Sequence, residues 1–368
     1  MNADTPGNKG PTNGREGCGW AGGWREMGGG EGALRPIVAG MSGAPVVDYH
    51  ATSARPGWDE LPSSLQQACA VALGTEIVAA GPSVGSGFTG GFAAPLRLAD
   101  GRVVFVKAAA EPMHAFTAYQ REAEVVPQLP AAVRVPQIVA TAHATDGDSR
   151  WFAVASQRVD GRMPGTPWTA ADFATVTANC EVMADALSPS PLGDLELFVS
   201  DGESDGFPKD LPDQIRSGDR PLPGGFQPWL GRRLGELAEL VHLYPEALAG
   251  TTATHGDLRP DNMLLDPIGQ CWTVDWNWLA LGPRWMDWVG LLPLAHHHGM
   301  DTASTVAAST LTADVPPEHL DCFAALIAAY MLDNVDKPPP PGCTPELRRH
   351  QRLYAWAFLE WLAVRRNW

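Results

Sequence analysis

Residues 255–262 and 271–275 combine two acids and an amide in a pattern that suits metal-assisted phosphate chemistry. The first segment reads His-Gly-Asp-Leu-Arg-Pro-Asp-Asn and the second reads Cys-Trp-Thr-Val-Asp. Magnesium takes carboxylate and amide oxygens from a protein and completes its shell with phosphate oxygens of a substrate. Asn262 and Asp275 could therefore hold Mg²⁺, while Asp257 remains free to orient or deprotonate a hydroxyl. This combination suits phosphoryl transfer, in which a protein contributes mainly positioning and charge neutralisation.

A short hairpin is expected to bring these side chains together. Apolar stretches at residues 263–266 and 271–274 read as strands, and the turn formers lie between them at 266–270. If the two arms pair symmetrically, Asn262 and Asp275 face each other across the open end of the hairpin.

The octapeptide at 255–262 resembles the catalytic loop His-Arg-Asp-x-x-x-x-Asn of the protein-kinase fold. Gly256 stands in place of that Arg, and in this respect the segment resembles the aminoglycoside phosphotransferase family of small-molecule kinases. Residues 274–276, Val-Asp-Trp, stand where protein kinases have Asp-Phe-Gly. The resemblance, which runs from about Trp58 to the C-terminus, implies an α+β, protein-kinase-like bilobal fold. It has a small N-terminal antiparallel-sheet lobe with one main helix and a larger, mostly helical C-terminal lobe. ATP, or GTP, would be the phosphoryl donor and Mg²⁺ the metal.

A lysine and a glutamate upstream are the expected partners of the nucleotide. Residues 101–107 read as a strand of β-branched and aromatic residues that ends in Lys107. A buried ammonium is costly unless it meets an anion. The resemblance implies that this anion is the α/β-phosphate, with a helix glutamate holding the ammonium. Helical spacing puts Glu122 on the buried face and Glu124 nearly opposite, although Pro127 should end this helix early. The alternative is a solvated, charged helix.

A glycine-rich segment at residues 81–92 precedes that strand and is expected to form a hairpin loop over phosphates. Glycines let a backbone approach phosphate closely and offer it N–H donors. The segment lacks the Walker pattern, which disfavours a P-loop nucleotide fold. Glycine-rich turns are commonly only turns, but this one lies two strands before Lys107. The candidate nucleotide-binding residues are Gly85, Ser86, Gly87 and Thr89.

Two further charged residues receive roles from the resemblance. Arg259 stands where protein kinases have a Lys near the γ-phosphate, so it is a candidate catalytic residue; the alternative is a surface arginine. Asp287 lies 12 residues after Asp275 and is expected to brace the catalytic loop, or else to be a helix N-terminal acid. This interval leaves no room for the activation segment of protein kinases. The acceptor is therefore expected to be a hydroxyl of a small molecule.

The charge of the chain also limits its partners. The chain has 368 residues, 45% of them hydrophobic, and a net charge of −16 from 26 basic and 42 acidic residues. This balance disfavours nucleic acid and anionic membranes and favours cationic small molecules. Seven acidic residues and one Lys lie between Asp194 and Asp213. The default interpretation is a solvated loop, but at the substrate cleft this segment would select a cationic, aminoglycoside-like acceptor.

No apolar run approaches the roughly 20 residues that a membrane span requires. Residues 1–5 lack a charged-then-apolar signal pattern, so a cytoplasmic location is expected. Met41 could serve as an alternative translation start. Nothing in the sequence indicates an oligomeric state.

We expect three segments: a disordered, glycine-rich tail at 1–50, a nucleotide-binding lobe at 51–159, and a catalytic and acceptor-binding lobe at 160–368. Residues 151–159 read as the last strand of the first lobe and as the hinge that holds adenine, although an edge strand without a ligand would look the same. Helices are predicted at about residues 61–74, 170–187, 228–243, 285–295, 317–332 and 345–363.

The cysteines and a histidine run are expected to be structural. The cysteines show no C-x-x-C spacing, so we expect free thiols that behave as small apolar residues. His296–His298 follow an apolar helix pattern and precede a glycine, which favours a helix C-terminus over a metal site. The cysteines are Cys18, Cys69, Cys180, Cys271, Cys322 and Cys343.

Three alternative functions stay open. The first is a kinase for a cellular metabolite such as an amino alcohol, a sugar or a homoserine-like compound. The second is a non-catalytic, kinase-like module that binds nucleotide or a partner. The third is a metal-dependent hydrolase, which would leave Lys107 and Glu122 unexplained.

Overall fold

The computed structural model describes residues 44–200, 206–226 and 229–368. Most of the predicted N-terminal tail lies outside this part of the chain. Residues 44–50, which we also assigned to the tail, pack against the rest of the protein. Tyr49 is buried, and its hydroxyl lies 3.0 Å from Nδ1 of His350. The tail prediction was therefore wrong for residues 44–50, because a glycine-rich composition does not reveal a distant packing partner.

A five-stranded antiparallel sheet forms the first part of the fold. Its strands are β1 (Ile77–Ala80), β2 (Phe92–Leu98), β3 (Val103–Ala110), β4 (Ile138–Asp146) and β5 (Ser149–Gln157), in the order β1-β2-β3-β5-β4 across the sheet. Strand β5 lies between two neighbours, so the edge-strand interpretation of residues 151–159 was wrong. Strand β3 continues beyond Lys107, which we had expected to end it, because Ala108–Ala110 keep pairing with β5.

Two helices cover opposite faces of this sheet. Helix α1 (Ser63–Leu73) begins after a 3-10 turn at Trp58–Glu60 and ends at Gly74, as predicted. It packs Leu65 on the face that carries Val104 and Val106 of β3. Helix α2 (His114–Val125) packs on the face that carries Ala109. Since side chains alternate along a strand, Lys107 points toward α2.

The second part of the fold is mostly helical around a large core. Within it, the two longest helices, at Pro317–Asn334 and Glu346–Arg366, pack on each other with Leu326 and Leu359 fully buried. Its helices are α3 (Ala170–Ala186), α4 (Leu211–Ser217), α5 (Leu234–Val241), α6 (Tyr244–Ala247), α7 (Met286–Val289), α8 (Leu292–His297), α9 (Thr302–Ala308), α10 (Pro317–Asn334) and α11 (Glu346–Arg366). Two small antiparallel ribbons join β6 (Thr252–Thr254) to β9 (Ala280–Gly282) and β7 (Met263–Leu265) to β8 (Cys271–Thr273).

The architecture is thus the predicted α+β, protein-kinase-like bilobal fold, with a sheet-based part that precedes a helical part.

Two predicted helices differ in detail. The helix expected at 285–295 is divided into α7 and α8 at Gly290, because Pro293 cannot supply a backbone N–H to a continuous helix. The helix expected at 228–243 begins only at Leu234, after a 3-10 turn at Leu230–Arg232.

The described cysteines are free thiols, as predicted, and all but Cys343 are buried; Cys18 lies outside the described residues. Among the helices that the structure describes, none combines the length and the apolar character needed to cross a bilayer.

Leu65 tests the packing of α1 on the sheet. It is fully buried, whereas Val71 on the same helix is 76% exposed. Leu65→Ala should lower the free energy of unfolding by about 2–5 kcal/mol, because it removes a buried side chain and leaves a cavity. Val71→Ala is the matched control and should change it by less than about 0.5 kcal/mol. Chemical denaturation measures both values, and equal effects would contradict this packing.

Candidate active site

The β7–β8 hairpin forms as predicted, but with a register that differs by one residue. The backbone N–H of Val274 donates to the carbonyl of Asn262 at 3.0 Å, so Asn262 lies opposite Val274 and not opposite Asp275. The turn sets this register, because the N–H of Asp266 bonds to the carbonyl of Gln270 at 2.9 Å. The symmetric pairing that we expected was therefore wrong.

Asp275 nevertheless turns back into the same region. Its φ of 71° lies in the left-handed region that non-glycine residues rarely adopt. The N–H of Asn277 donates to the carbonyl of Asp275 at 2.9 Å and stabilises this turn. Such conformations cluster at ligand and active sites, where the surrounding structure supports them.

Lys107 connects the sheet, α2 and the segment after β8. Its Nζ donates to both oxygens of Glu122, at 3.0 and 2.8 Å, and to Oδ1 of Asp275 at 2.7 Å. Glu122 is buried and Glu124 is exposed, so the solvated-helix alternative was wrong. A buried ammonium with two carboxylate partners is the arrangement that a charge in an apolar setting requires.

The electrostatics of this cluster follow from its burial. Desolvation lowers the pKa of Lys107, but Asp275 and Glu122 outweigh it and hold that pKa above its ordinary value. Desolvation raises the pKa of Glu122, and Lys107 offsets this only in part. For Asp275 the attraction of Lys107 outweighs burial, so its pKa lies below the usual range. One cation and two carboxylates leave the cluster with an excess of negative charge.

The donor set around Asn262 fits a divalent cation. Nδ2 of Asn262 donates to the backbone carbonyl of Asp257 at 2.8 Å. Within the described residues no donor contacts Oδ1 of Asn262 or Oδ2 of Asp275, so two oxygens of the types that magnesium prefers are free. No cluster of three or more His, Cys, Asp or Glu side chains in the described ranges is arranged to hold a metal. Further ligands would therefore come from phosphate and water.

Asp257 and Arg259 form a second charged group. Nη1 of Arg259 pairs with Asp257, while Nε and Nη2 donate to the two oxygens of Asp261, both at 3.0 Å. Only 14% of the Arg259 side chain is exposed, so the surface-arginine alternative was wrong. Burial raises the pKa of Asp257 to about 6, although Arg259 opposes this shift.

The backbone of the catalytic-loop segment is fixed by Asp287. Its carboxylate accepts hydrogen bonds from the N–H of His255 at 2.7 Å and of Gly256 at 3.1 Å, which is the predicted bracing contact. Gly256 has a φ of 77°, and a Cβ there would lie 2.3 Å from the carbonyl oxygen of Trp278. This position therefore requires glycine, and the Arg of protein kinases would not fit.

The glycine-rich segment forms the loop between β1 and β2. Nothing within the described residues accepts a hydrogen bond from the backbone N–H groups of residues 85–90. A row of free backbone N–H groups is suited to an anion. Oγ1 of Thr89 lies 3.1 Å from the hydroxyl of Tyr119 on α2, which ties the loop to the Lys107 cluster.

Four residues of this region escaped sequence reasoning. Asp261 lies inside the octapeptide but had received no role. Tyr119 shares the buried helix stripe of Glu122 but had also received no role. Tyr330 and Arg55 had no sequence signal, because their importance depends on long-range packing. Tyr330 of α10 is close enough to Asp257 that this carboxylate contributes, after burial, to a raised pKa of the tyrosine.

Asp287 provides a test of the loop brace. Asp287→Asn should lower the free energy of unfolding by about 1–3 kcal/mol, because one of two buried backbone N–H groups loses its acceptor. Asp185→Asn is the matched control, since Asp185 is 74% exposed and pairs with Arg284 at the surface. Denaturant titration compares the variants, and equal stabilities would contradict the bracing role.

Comparisons with known proteins identify the family of this chain and relatives of its fold. The sequence profile of the phosphotransferase enzyme family, APH, matches residues 88–326. A GDP complex of an aminoglycoside 2'-phosphotransferase IIIa mutant is 17% identical, with a TM-score of 0.53 over 79% of this chain and 92% of that chain. A thermostable mutant of aminoglycoside phosphotransferase APH(4)-Ia, in a complex with ADP and hygromycin B, is 13% identical, with a TM-score of 0.52 over 83% and 99%. No curated protein sequence matches this chain. The profile covers more than half of the chain, which therefore belongs to the APH family of phosphotransferases.

Proposed function

We propose that this protein is an ATP-dependent kinase that transfers the γ-phosphoryl group to a hydroxyl of a small molecule. The contact of Lys107 with both Glu122 and Asp275 carries this proposal, since it joins segments that are 15 and 168 residues apart. Asp257 lies in the same region through its contacts with Asn262.

The nucleotide-binding roles follow from the charges and donors. Lys107, held by Glu122, orders the α- and β-phosphates of ATP, with GTP as the alternative donor. A magnesium ion held by Asn262 and Asp275 would neutralise phosphate charge and help to align the reacting groups. The loop residues Gly85, Ser86, Gly87 and Thr89 contribute backbone and hydroxyl donors. We place the boundary between the nucleotide-binding and acceptor-binding lobes near residue 159, just after β5.

Asp257 is the proposed catalytic base. It accepts the proton of the acceptor hydroxyl, or orients that hydroxyl, as the oxygen attacks the γ-phosphorus. Arg259 keeps the carboxylate in position and adds positive charge near the transferred group. A pKa of about 6 suits this role, because the group is largely ionised at neutral pH and still basic enough to take a proton.

The acceptor is proposed to be cationic, as an aminoglycoside is. The backbone of the acidic segment contacts β9, since Leu197 forms a β-bridge with Leu281. Phe207, nearer the end of that segment, packs 5.7 Å from Tyr330. This placement and the net charge of −16 support a cationic acceptor over nucleic acid. ATP as the donor supports a cytoplasmic location.

Magnesium-dependent ATP consumption with a panel of acceptors tests the function. The panel contains aminoglycosides, simple amino alcohols and neutral sugars, and product mass identifies a phosphorylated hydroxyl. Aminoglycosides should stimulate consumption most. A preference for amino alcohols would instead support a metabolite kinase. Nucleotide binding without consumption in any arm would support the non-catalytic module.

Asp257→Asn tests the proposed base. Turnover should fall roughly 100- to 10,000-fold, because the amide cannot take the proton, while ATP affinity changes little. Asp160→Asn is a matched control, since Asp160 is an exposed partner of Arg158 at the surface. Turnover like that of the wild-type protein would overturn the assignment.

The pH dependence tests the same carboxylate independently. Because burial raises the pKa of Asp257 to about 6, protonation should remove the base as the pH falls through this value. The ratio kcat/KM for the acceptor should therefore decline on the acid side of about pH 6 and level off above it. ATP affinity measured over the same pH range is the control. A flat kcat/KM profile down to the ordinary carboxyl range would contradict the role.

A further inference from the structure

Residues 44–57, which we call the strap, cross the glycine-rich loop before the first helix begins. Oγ1 of Thr52 donates to the carbonyls of Gly85 and Gly87, at 3.0 and 2.9 Å. The N–H of Ser53 donates to the carbonyl of Gly85 at 2.9 Å. A Cβ on Gly85 would lie 2.0 Å from the carbonyl oxygen of His50, so the loop and the strap fit only with glycine there.

The strap and the segment before α11 hold the loop together. Sγ of Cys343 donates to the carbonyl of Phe88 at 3.1 Å, and the backbone of Cys343 forms an antiparallel β-bridge with that of Ser53. The ring of Phe88 packs 4.8 Å from His350 of α11 and 5.1 Å from the guanidinium of Arg259. The loop is therefore closed onto the helical part of the protein.

Arg55 extends from the strap to the inside of this closed loop. Its Nη2 donates to the carbonyl of Ser86 at 2.9 Å, and its Nη1 donates to the carbonyl of Gly91 at 2.5 Å. Nη1 also reaches the hydroxyl of Tyr119 at 3.2 Å, and Nζ of Lys107 lies 5.7 Å from the centroid of that tyrosine ring. Two cations thus share one side of the site.

Arg55 differs from its neighbouring cations in its partners. Lys107 and Arg259 each pair with two carboxylates, whereas Arg55 pairs with none in the described part of the chain. Its Nε is buried without a hydrogen-bond partner. Arg55 is half-buried, and its charge lies inside the loop without a carboxylate partner, so it is available to an anion that enters there.

We propose that Arg55 is a nucleotide-binding residue whose guanidinium contacts the phosphate groups of the donor beneath the glycine-rich loop. This inference rests on the proposed function and extends its binding site to a segment outside residues 88–326, the range of the family match. The planar guanidinium fork has more N–H donors than the loop carbonyls use, so donors remain for phosphate oxygens. Lys107 and Arg259 each share their charge with two carboxylates, and Arg55 would add positive charge that is not shared in this way.

Calorimetric titrations with adenosine, ADP and ATP, each with magnesium, test this proposal. Arg55→Gln keeps a hydrogen-bond donor for the loop carbonyls but removes the charge. It should weaken ATP binding roughly 10- to 100-fold and leave adenosine binding unchanged. Arg55→Lys keeps the charge without the fork, so its loss for ATP should be smaller.

Two controls separate this role from a structural one. Arg97→Ala removes an exposed arginine of β2 and should leave all three affinities unchanged. Thr52→Val removes strap hydrogen bonds but keeps Arg55, so it measures what weaker support of the loop alone costs ATP, and that loss should be smaller than the loss in Arg55→Gln. Thermal denaturation shows whether each variant is folded. Should Arg55→Gln fail to fold, Arg55→Lys decides by the same comparison with Thr52→Val.

An ATP loss in the Arg55 variants that is no larger than in Thr52→Val, or a loss that is equal for adenosine and ATP, would overturn the inference, because Arg55 would then only support the loop. Tighter ATP binding by Arg55→Gln would also overturn it, since Arg55 would then obstruct the site. Either result leaves the proposed function intact. If the wild-type protein binds adenosine and ATP equally weakly or not at all, the proposed function fails, and the inference fails with it.

Discussion

The buried ammonium of Lys107 is the constraint on which the rest of the site depends. It lies on a strand that alternates apolar side chains, and burial there is tolerable only with anionic partners. Glu122 comes from the helix that covers the same face of the sheet, and Asp275 comes from the helical part of the chain. One charge therefore determines how α2 faces the sheet and how the two parts of the fold approach each other.

The site contains two matching charge groups. Around Lys107 and around Arg259, one cation faces two carboxylates, so each group is negative overall. Without a metal ion, these two negative groups would repel the phosphates of a nucleotide, whereas they would attract a divalent cation. In the proposed site, the oxygens of Asn262 and Asp275 would bind the metal, and Arg55, which pairs with no carboxylate in the described part of the chain, would bind the phosphates. Binding of metal and nucleotide should consequently depend on each other.

Local predictions succeeded where the signal was local. The β7–β8 hairpin, the strand that carries Lys107 and the helix that buries Glu122 follow from turn formers and from side-chain periodicity over a few residues. Their mutual approach was expected only through the family resemblance. The register of the hairpin was wrong by one residue, since the hydrogen bonds of the turn decide it and the residue types do not.

The sequence by itself determined the elements and the chemically active residue types, because both depend on neighbours within one or two turns of the chain. Only the tertiary structure decided that Lys107 also pairs with Asp275 and that Arg259 is buried between two acids. It also decided that residues 44–57 lie over the glycine-rich loop. These contacts join residues far apart in the chain or depend on how deeply a side chain is buried. Arg55, which carries no motif, becomes part of the site only after the chain has folded.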